Sequence, residues 1–235
     1  MRDTRPCLFL DLDDTILDFR WAEHRALSRA MRSAGIEPTQ TVLDRYSEIN
    51  IAQWQKLELG LITREQVLLE RFEILFEELG LDADAAAMRD AYEGNLCDGH
   101  RFLPGAEETL RALAGSCRLF LASNGSAAVQ EARLASAGIG ALFEDIFISE
   151  LLGFDKPSRA YFEACFARIP LFEPARALMV GDSLSSDIRG GKNAGLLTCW
   201  YNPKGKSAPQ DLRPDHEIRA LPELVGLVER LFPQE

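Results

Sequence analysis

Cysteine is scarce and dispersed in this chain of 235 residues. The five cysteines are Cys7, Cys97, Cys117, Cys165 and Cys199, and no two of them form a C-x-x-C pair. An odd, scattered set in a chain without a recognisable signal peptide argues against a disulfide-stapled secreted domain, so we expect a cytoplasmic protein. Because Cys7, Cys117 and Cys199 fall in predicted strands, we expect them to serve as small core residues.

Positive charge and long apolar runs are scarce as well. The 26 lysines and arginines are outnumbered by 37 aspartates and glutamates, and the net charge of −11 argues against binding to nucleic acid or to an anionic membrane. No apolar run approaches the roughly 18 to 20 residues that cross a bilayer. Apolar residues still make up 46% of the chain, which is enough for a substantial core. A small anionic substrate would need a local cation to overcome the negative field.

The hydrophobic pattern divides the chain into two kinds of region. Helical periodicity continues for about eighty residues after the first predicted strand, and no strand pattern interrupts it. Within this region, Thr63-Arg64-Glu65-Gln66 has the form of a capping box. From residue 99 onward predicted strands alternate with helices, which is typical of a doubly wound parallel sheet. We therefore predict an α/β fold with a Rossmann-like core formed by residues 1–17 and 99–235, into which residues 18–98 are inserted as a helical-bundle cap.

The stretch from Cys7 to Thr15 carries the first functional signal. Its short apolar run predicts a buried strand, and the run ends in Asp11, Asp13 and Asp14. Ligands of open α/β sheets bind outside the carboxyl ends of the strands. Asp11 and Asp13 lean to the same side of an extended chain, where two carboxylates repel unless a cation lies between them or one holds a proton. An acidic turn that caps the next helix is the alternative interpretation.

Three later strands each deliver polar groups at the same edge. Ser123, followed by Asn124, could hold a phosphate oxygen at a helix start, although an N-cap serine has the same pattern. Lys156 lies in a loop after the next strand, where a solvated ion pair is the alternative. Asp182 leaves another buried strand, and Asp187 follows near a helix start, where it could instead stabilise the first turn.

Together these strand ends predict a phosphoryl-transfer site that holds Mg²⁺. Asp11 and Asp182, with the main-chain carbonyl of Asp13, offer the oxygen ligands that Mg²⁺ prefers. Asp11 would attack phosphorus and form an aspartyl-phosphate, and Asp13 would protonate the leaving oxygen and later deprotonate water. Lys156 and Ser123 would stabilise charge on the transferring group. The predicted site comprises the metal ligands Asp11, Asp13 and Asp182, the phosphate-binding residues Ser123, Asn124 and Lys156, and the supporting residues Thr15 and Asp187.

The four motifs, in this order, resemble those of haloacid dehalogenase (HAD) superfamily phosphatases. They are Asp11–Thr15, Leu121–Gly125, Gly153–Pro157 and Gly181–Ser183 with Asp187. The resemblance extends over essentially the whole chain, and it implies a central first strand that lies next to the strand bearing Asp182. The chain departs from the pattern at Asp155, since the residue before the loop lysine is more often small or apolar. Asp155 either draws charge away from Lys156 or points to solvent.

Residues 178–200 are also similar to bacterial pyrimidine 5'-nucleotidases, which act on nucleoside monophosphates. This resemblance implies an Mg²⁺-dependent hydrolase of nucleoside 5'-monophosphates, with pyrimidine nucleotides favoured, acting as a monomer or homodimer on a small phosphomonoester. A phosphatase of sugar phosphates, sialic-acid phosphates or phosphoglycolate is the main alternative, followed by a phosphomutase and an inactive binding protein. Dehalogenation is disfavoured by Asp13, which dehalogenases lack.

The cap is the region where specificity would be decided. Aromatic and amide side chains there could contact a base, although aromatic residues at helical spacing are typical of a core. The candidates are Phe19, Tyr46, Asn50 and Trp54. The chain crosses between core and cap near residues 18–20 and 98–102, which we predict to be hinges.

Overall fold

The computed structural model describes residues 4–233. Within this range six strands form one sheet. They are β1 (Cys7–Leu10), β2 (Arg118–Ser123), β3 (Asp145–Ile148), β4 (Ala177–Gly181), β5 (Leu197–Tyr201) and β6 (His216–Ile218). All neighbouring pairs are parallel, in the order β3-β2-β1-β4-β5-β6. The predicted α/β fold is confirmed, and β1 lies centrally between β2 and β4 as the resemblance implies.

The helices alternate with these strands except in one long stretch between β1 and β2. They are α1 (Phe19–Ser33), α2 (Gln40–Glu58), α3 (Arg64–Leu79), α4 (Ala85–Leu96), α5 (Ala106–Ala114), α6 (Ala127–Ala137), α7 (Ser149–Leu152), α8 (Arg159–Ala167), α9 (Arg189–Asn193) and α10 (Glu223–Leu231). No helix within residues 4–233 combines the length and the apolar character that a membrane-spanning segment requires.

Both faces of the sheet are covered, which explains why β1 is apolar at every position. Successive side chains of a strand point to opposite faces. Leu8 and Leu10 pack into the cluster that includes residues of α5 and α10, whereas Phe9 packs into the cluster on the other face. There the Phe9 and Phe120 rings stack with their centroids 5.4 Å apart. A strand buried on both faces reads as a continuous apolar run rather than an alternating one.

Helices α1 to α4 enclose a separate apolar cluster. The capping box at the start of α3 is confirmed, because the Thr63 hydroxyl accepts from the Gln66 backbone N–H while the Gln66 side chain accepts from the Thr63 N–H. Tyr46 is fully buried and contacts the rings of Phe72 and Tyr92 at centroid distances of 5.1 Å and 5.4 Å. Tyr46 is therefore a core residue of these helices. The division into core and cap at residues 18–98 remains a prediction, and helices α1 to α4 are called the cap below.

Three further segments lie at the carboxyl ends of strands. The residues directly before Gly153 form the short helix α7, which follows β3. A π-helical turn, Leu184–Ile188, precedes α9 in place of a continuous α-helix. Tyr201 is the last residue of β5 and is 5% exposed, and a loop follows it. There the Asn202 side chain bonds to the backbone of Lys206, which tightens the loop against the sheet.

Candidate active site

Lys156 brings three of the predicted strand ends together. Its side chain is buried, and its ammonium donates to Asp11 Oδ1 at 2.7 Å, to Asp187 Oδ1 at 2.8 Å and to the carbonyl of Ala122 at 2.6 Å. These three contacts use all three N–H donors of the ammonium. The solvated alternative for Lys156 is therefore wrong.

Asp182 and Asp187 reach the same place from the end of β4. One carboxylate oxygen from each of Asp11, Asp182 and Asp187 lies within 4.8 Å of the others. Thr15 supports this arrangement, because its hydroxyl accepts from the Asp182 backbone N–H at 3.0 Å. The second oxygen of Asp187 accepts from the Ser183 N–H at 3.0 Å, so Lys156 holds one oxygen of this carboxylate and the start of the π-helical turn holds the other.

The electrostatics of this acidic cluster fit a cation. Burial raises the pKa of Asp11 to about 7, against the opposing effect of the Lys156 ammonium, and Asp187 raises it further. Burial, and then the carboxylates of Asp11 and Asp187, raise the pKa of Asp182 well above its usual range. Burial alone would lower the pKa of Lys156, but the neighbouring carboxylates of Asp11 and Asp187 raise it. Three carboxylates thus face one ammonium, and a divalent cation with oxygen ligands would neutralise the excess.

Asp13 does not join that cluster through its side chain. Its Oδ2 accepts from Gln130 Nε2 at 2.7 Å, and its Oδ1 is ion-paired with Arg133 Nη1. Gln130 Nε2 also donates to the Ser123 hydroxyl at 2.8 Å. Both side-chain oxygens of Asp13 thus contact residues of α6, and the metal-ligand role of its main-chain carbonyl remains a prediction. Both Gln130 and Arg133 were missed, and the signal for them is two polar residues on the face of α6 that buries Val129 and Leu134.

Asp14 and Asp18 cap the start of α1. Capping of the next helix was the alternative interpretation of the first acidic motif. Asp14 Oδ1 accepts from the Phe19 N–H at 2.9 Å, and Asp18 caps α1 by accepting from the Trp21 N–H at 2.8 Å. Asp18 also receives the Arg101 side chain and donates its own N–H to the Arg101 carbonyl at 2.8 Å, so the two chain crossings lie side by side. Asp11 and Asp13 are left available for other contacts.

The Asn124 side chain is occupied in positioning the lysine loop. Its Nδ2 donates to the Lys156 carbonyl, and its Oδ1 accepts from the Lys156 N–H, each at 2.9 Å. These bonds use one of the two Nδ2–H donors of the amide, and the phosphate contact of Asn124 remains a prediction. Ser123 keeps a hydroxyl hydrogen to donate, because its oxygen accepts from the Gly125 N–H and from Gln130.

The Asp155 side chain does not point freely to solvent, and an effect of its charge on Lys156 remains a prediction. Asp155 is ion-paired with Arg64, the first residue of α3, whose guanidinium also donates to the Asn124 carbonyl at 2.6 Å and to the Ser149 hydroxyl at 2.5 Å. Arg64 lies 5.5 Å from the ring centre of half-buried Trp54. No feature of the sequence indicated that the capping box would carry this arginine to the lysine loop.

A carboxylate from the cap lies near the site as well. Glu58 ends α2, and burial raises its pKa, with the Ser185 hydroxyl opposing and Asp187 adding to the rise. Among residues 4–233 its Oε2 atom, although buried, has no hydrogen-bond partner. Of the predicted base-contacting residues, Asn50 is buried and bonded to Glu23 and Arg71 inside the cap. The position of Glu58 near the site could not be predicted, because a glutamate at the end of a helix is usually exposed to solvent.

Comparison with known proteins agrees with this geometry. The model of the haloacid dehalogenase-like hydrolase family matches residues 6–195. The chain is 41% identical to the HAD-hydrolase YfnB of Bacillus subtilis, with 97% of each chain covered. It is 35% identical to the pyrimidine 5'-nucleotidase PynA of Streptococcus pneumoniae over 95% of this chain and 94% of that one. It is 31% identical to the pyrimidine 5'-nucleotidase YjjG of Escherichia coli, over 94% of this chain and 96% of that one.

A solved structure gives the same result for the fold. The crystal structure of YfnB bound to magnesium, described as revealing interdomain movement, superposes with a TM-score of 0.91 and covers 96% of this chain and 99% of that one. The strand-end aspartates, the buried lysine and the family match lead to one conclusion. The chain belongs to the haloacid dehalogenase-like hydrolase family and is a phosphoric monoester hydrolase.

Proposed function

We propose that this phosphatase hydrolyses nucleoside 5'-monophosphates, pyrimidine nucleotides in preference, with Mg²⁺ and through an aspartyl-phosphate. The observation that carries the chemistry is the buried contact of 2.7 Å between Lys156 and Asp11 at the carboxyl end of the central strand. The ammonium keeps Asp11 oriented and offsets part of its burial cost. It is also next to the position that a phosphoryl oxygen must occupy when Asp11 attacks phosphorus.

In the first step an oxygen of Asp11 forms a bond to phosphorus, and the ester P–O bond breaks. Asp13, in its carboxylic acid form, gives its proton to the departing oxygen. The Ser123 hydroxyl donates to a phosphoryl oxygen. The Lys156 ammonium, whose three N–H groups are already bonded, stabilises the phosphoryl charge through its own positive charge. In the second step Asp13 takes a proton from water, whose oxygen then displaces Asp11 from phosphorus. Orthophosphate leaves, and both carboxyl groups return to their starting states.

The acidic cluster fits Mg²⁺, and Asp11, Asp182 and the main-chain carbonyl of Asp13 would hold it. When bound, the ion would neutralise the carboxylates and the phosphate and would polarise the P–O bonds. Asp187 is better suited to holding Lys156, because Lys156 and the Ser183 N–H already occupy its two oxygens. Thr15 would keep Asp182 oriented through the N–H contact of that residue.

Two further observations support nucleotides as the substrate class. PynA and YjjG, both pyrimidine 5'-nucleotidases, match more than nine-tenths of this chain. Trp54 and Glu58 lie on α2 at the side of the cap that approaches the phosphoryl site, where an aromatic ring could stack on a base and a carboxylate could accept from a ribose hydroxyl. The interdomain movement described for YfnB supports opening and closing of the cap during turnover.

The test is phosphate release from a panel of monophosphates, first with Mg²⁺ and then with EDTA. The panel contains UMP, dUMP, dTMP, purine nucleotides, hexose phosphates, phosphoglycolate and a sialic-acid phosphate. We expect kcat/KM for the pyrimidine nucleotides to exceed that for the other esters by about tenfold or more, since one specific pocket contact discriminates on this scale. EDTA should abolish turnover. Asp11→Asn, which keeps the shape of the side chain, is the control and should be inactive and folded.

Each possible result has a distinct meaning. A preference for a sugar phosphate or for phosphoglycolate would retain the mechanism and refute the nucleotide assignment. Full activity in EDTA would refute the role of Mg²⁺. Turnover by Asp11→Asn at the rate of the unaltered protein would refute the nucleophile.

A further inference from the structure

Both carboxylate oxygens of Asp13 are held by one helix. Arg133 and Gln130 are three residues apart on α6, so their side chains leave the same face of that helix. Gln130 Nε2 donates to Asp13 Oδ2 at 2.7 Å, and Arg133 Nη1 donates to Asp13 Oδ1. The exposed fraction is 0% for Arg133 and 1% for Gln130. Asp13 is thus oriented by side chains that lie more than one hundred positions away in the chain.

The same two side chains connect Asp13 to the phosphate-binding serine. Gln130 Nε2 donates to the Ser123 hydroxyl at 2.8 Å, and the side-chain Oε1 of Gln130 accepts from Arg133 Nη1 at 3.1 Å. Gly125 makes this arrangement possible, because a Cβ atom at that position would overlap the Gln130 amide. The positions of Asp13 and Ser123 relative to each other are therefore set through Gln130.

The burial of Arg133 is not explained by stability. Within the described part of the chain, Asp13 is its ion-pair partner, and neither Nε nor Nη2 has a hydrogen-bond partner. Its guanidinium carbon lies 5.6 Å from the ring centre of Phe19, at the start of the cap. Desolvating a guanidinium that is only partly satisfied is costly, and replacing a buried ion pair with apolar residues of similar volume is often neutral or stabilising. A charged group retained under these conditions points to a role in the site.

We propose that Arg133 and Gln130 are positioning residues that fix the carboxyl group of Asp13 for proton transfer to the leaving-group oxygen. This inference rests on the proposed general acid role of Asp13. In the transfer, the proton moves from Asp13 to the ester oxygen as the P–O bond breaks and Asp11 becomes phosphorylated. Arg133 and Gln130 touch neither the phosphorus nor the leaving oxygen in this step, and they act through Asp13.

This role predicts a dependence on the leaving group. The ribose 5'-alkoxide of UMP must receive a proton as it leaves, whereas the nitrophenolate of p-nitrophenyl phosphate is a stable anion and leaves without one. A displaced Asp13 therefore slows the alkyl ester more than the aryl ester. The constant kcat/KM reports only the steps up to departure of the leaving group, so it excludes the later hydrolysis of the aspartyl-phosphate, which is common to both esters.

The experiment measures kcat/KM with Mg²⁺ for p-nitrophenyl phosphate and UMP in Arg133→Met, Arg133→Lys, Gln130→Met and Asp13→Asn. General acid catalysis contributes roughly 10²- to 10⁴-fold, so we expect the aryl-to-alkyl ratio of kcat/KM to rise about tenfold or more in Arg133→Met. Gln130→Met should show a smaller rise, Arg133→Lys should restore part of the original ratio, and Asp13→Asn should set the upper limit. Because both esters are measured on one sample, a reduced fraction of folded protein cancels in the ratio.

Arg71→Met is the matched control. Arg71 is also buried and has one carboxylate partner, Glu93, but it lies inside the cap. We expect Arg71→Met to lower the melting temperature and to leave the aryl-to-alkyl ratio unchanged. An equal loss for both esters in Arg133→Met and Gln130→Met would overturn the inference, whereas failure of the unaltered protein to hydrolyse either ester would overturn the proposed function itself.

Discussion

Asp155, the residue before the catalytic-site lysine, is ion-paired with Arg64 at the start of helix α3. The same guanidinium bonds to the carbonyl of Asn124, whose side chain in turn holds the backbone of Lys156. The exposed fractions of the two paired side chains are 14% for Arg64 and 29% for Asp155, so solvent screens this pair only in part. One arginine of the cap is therefore joined to both loops that orient Lys156.

The first prediction concerns this connection. Arg64→Met keeps an unbranched side chain and removes the guanidinium, which makes the three contacts with the core and lies over the Trp54 ring. Because the lysine loop loses its cap partner, we expect kcat/KM for UMP to fall about tenfold and the melting temperature to decrease. A double-mutant cycle on the free energy of unfolding should give a coupling energy of roughly 1–2 kcal/mol between Arg64→Met and Asp155→Asn. Arg45→Met is the control, since Arg45 pairs with Glu78 on the cap surface and should have little effect.

The double-mutant cycle separates this explanation from a direct effect of Asp155 on Lys156. If Asp155 acts through Arg64, Asp155→Asn has little further effect once Arg64 is Met. If Asp155 instead draws charge from Lys156, the effects of the two substitutions on the logarithm of kcat/KM are additive, which would contradict the prediction. Hydrogen exchange of residues 149–157 should be faster in Arg64→Met, because the lysine loop loses its contact with α3.

The predictable parts of the site are those in which a short segment decides the placement. Asp11 follows β1 and Asp182 follows β4, and these two apolar strands are paired neighbours in which Leu10 is opposite Val180. Parallel pairing brings the two carboxyl ends together whatever the helices do. Lys156 could be predicted for a related reason, because its loop follows β3 at the same edge of the sheet.

The partners of these residues could not be predicted in this way. Arg133 meets Asp13 across 120 positions of sequence, and Arg64 meets Asp155 across 91. Periodicity predicts which face of a helix a polar residue occupies. The group that this residue contacts depends on how the helix packs against the rest of the chain. For Asn124 the prediction identified the correct loop, and the backbone of a second loop determined which group the amide binds.

The second prediction concerns Gly181, the last residue of β4. A Cβ atom at this position would overlap the carboxylate of Asp187, which must lie where it does to bond Lys156 and the Ser183 N–H. We expect Gly181→Ala to displace Asp187 and to lower kcat about 10- to 100-fold, since a displaced charge-stabilising group costs this much or more. Overpacking should also destabilise the fold by about 1–3 kcal/mol.

Gly94→Ala is the control for this substitution. Gly94 lies inside α4, and a Cβ atom there would meet nothing within 4 Å. An alanine in a helix interior is more favourable than glycine by about 0.5–1 kcal/mol, so this variant should be slightly more stable and fully active. Full activity and unchanged stability in Gly181→Ala would contradict the prediction, because they would mean that Asp187 is free to move.

The third prediction concerns the stability of the metal-free protein as a function of pH. Burial raises the pKa of Asp11 from 3.8 to about 7, and Asp182 is shifted in the same direction. Between the unfolded and the folded pKa the native state holds more protons than the unfolded chain, so the contribution of these groups to stability falls as pH rises and levels off above the folded pKa. We therefore expect the melting temperature in EDTA to decrease between about pH 5.5 and about pH 8. The decrease should be larger in the unaltered protein than in Asp11→Asn or Asp182→Asn.

Mg²⁺ should reverse this trend, because it stabilises the ionised carboxylates and binds only the folded state. The increase in melting temperature on adding Mg²⁺ should be larger at about pH 8 than at about pH 5.5, where protons compete for the ligands, and it should be much smaller in Asp182→Asn. KCl at matched ionic strength is the control for screening of the net charge of −11. If KCl stabilises the protein as well as Mg²⁺ does, or if the pH dependence in EDTA is the same in Asp11→Asn as in the unaltered protein, then the acidic cluster is not the origin of the effect.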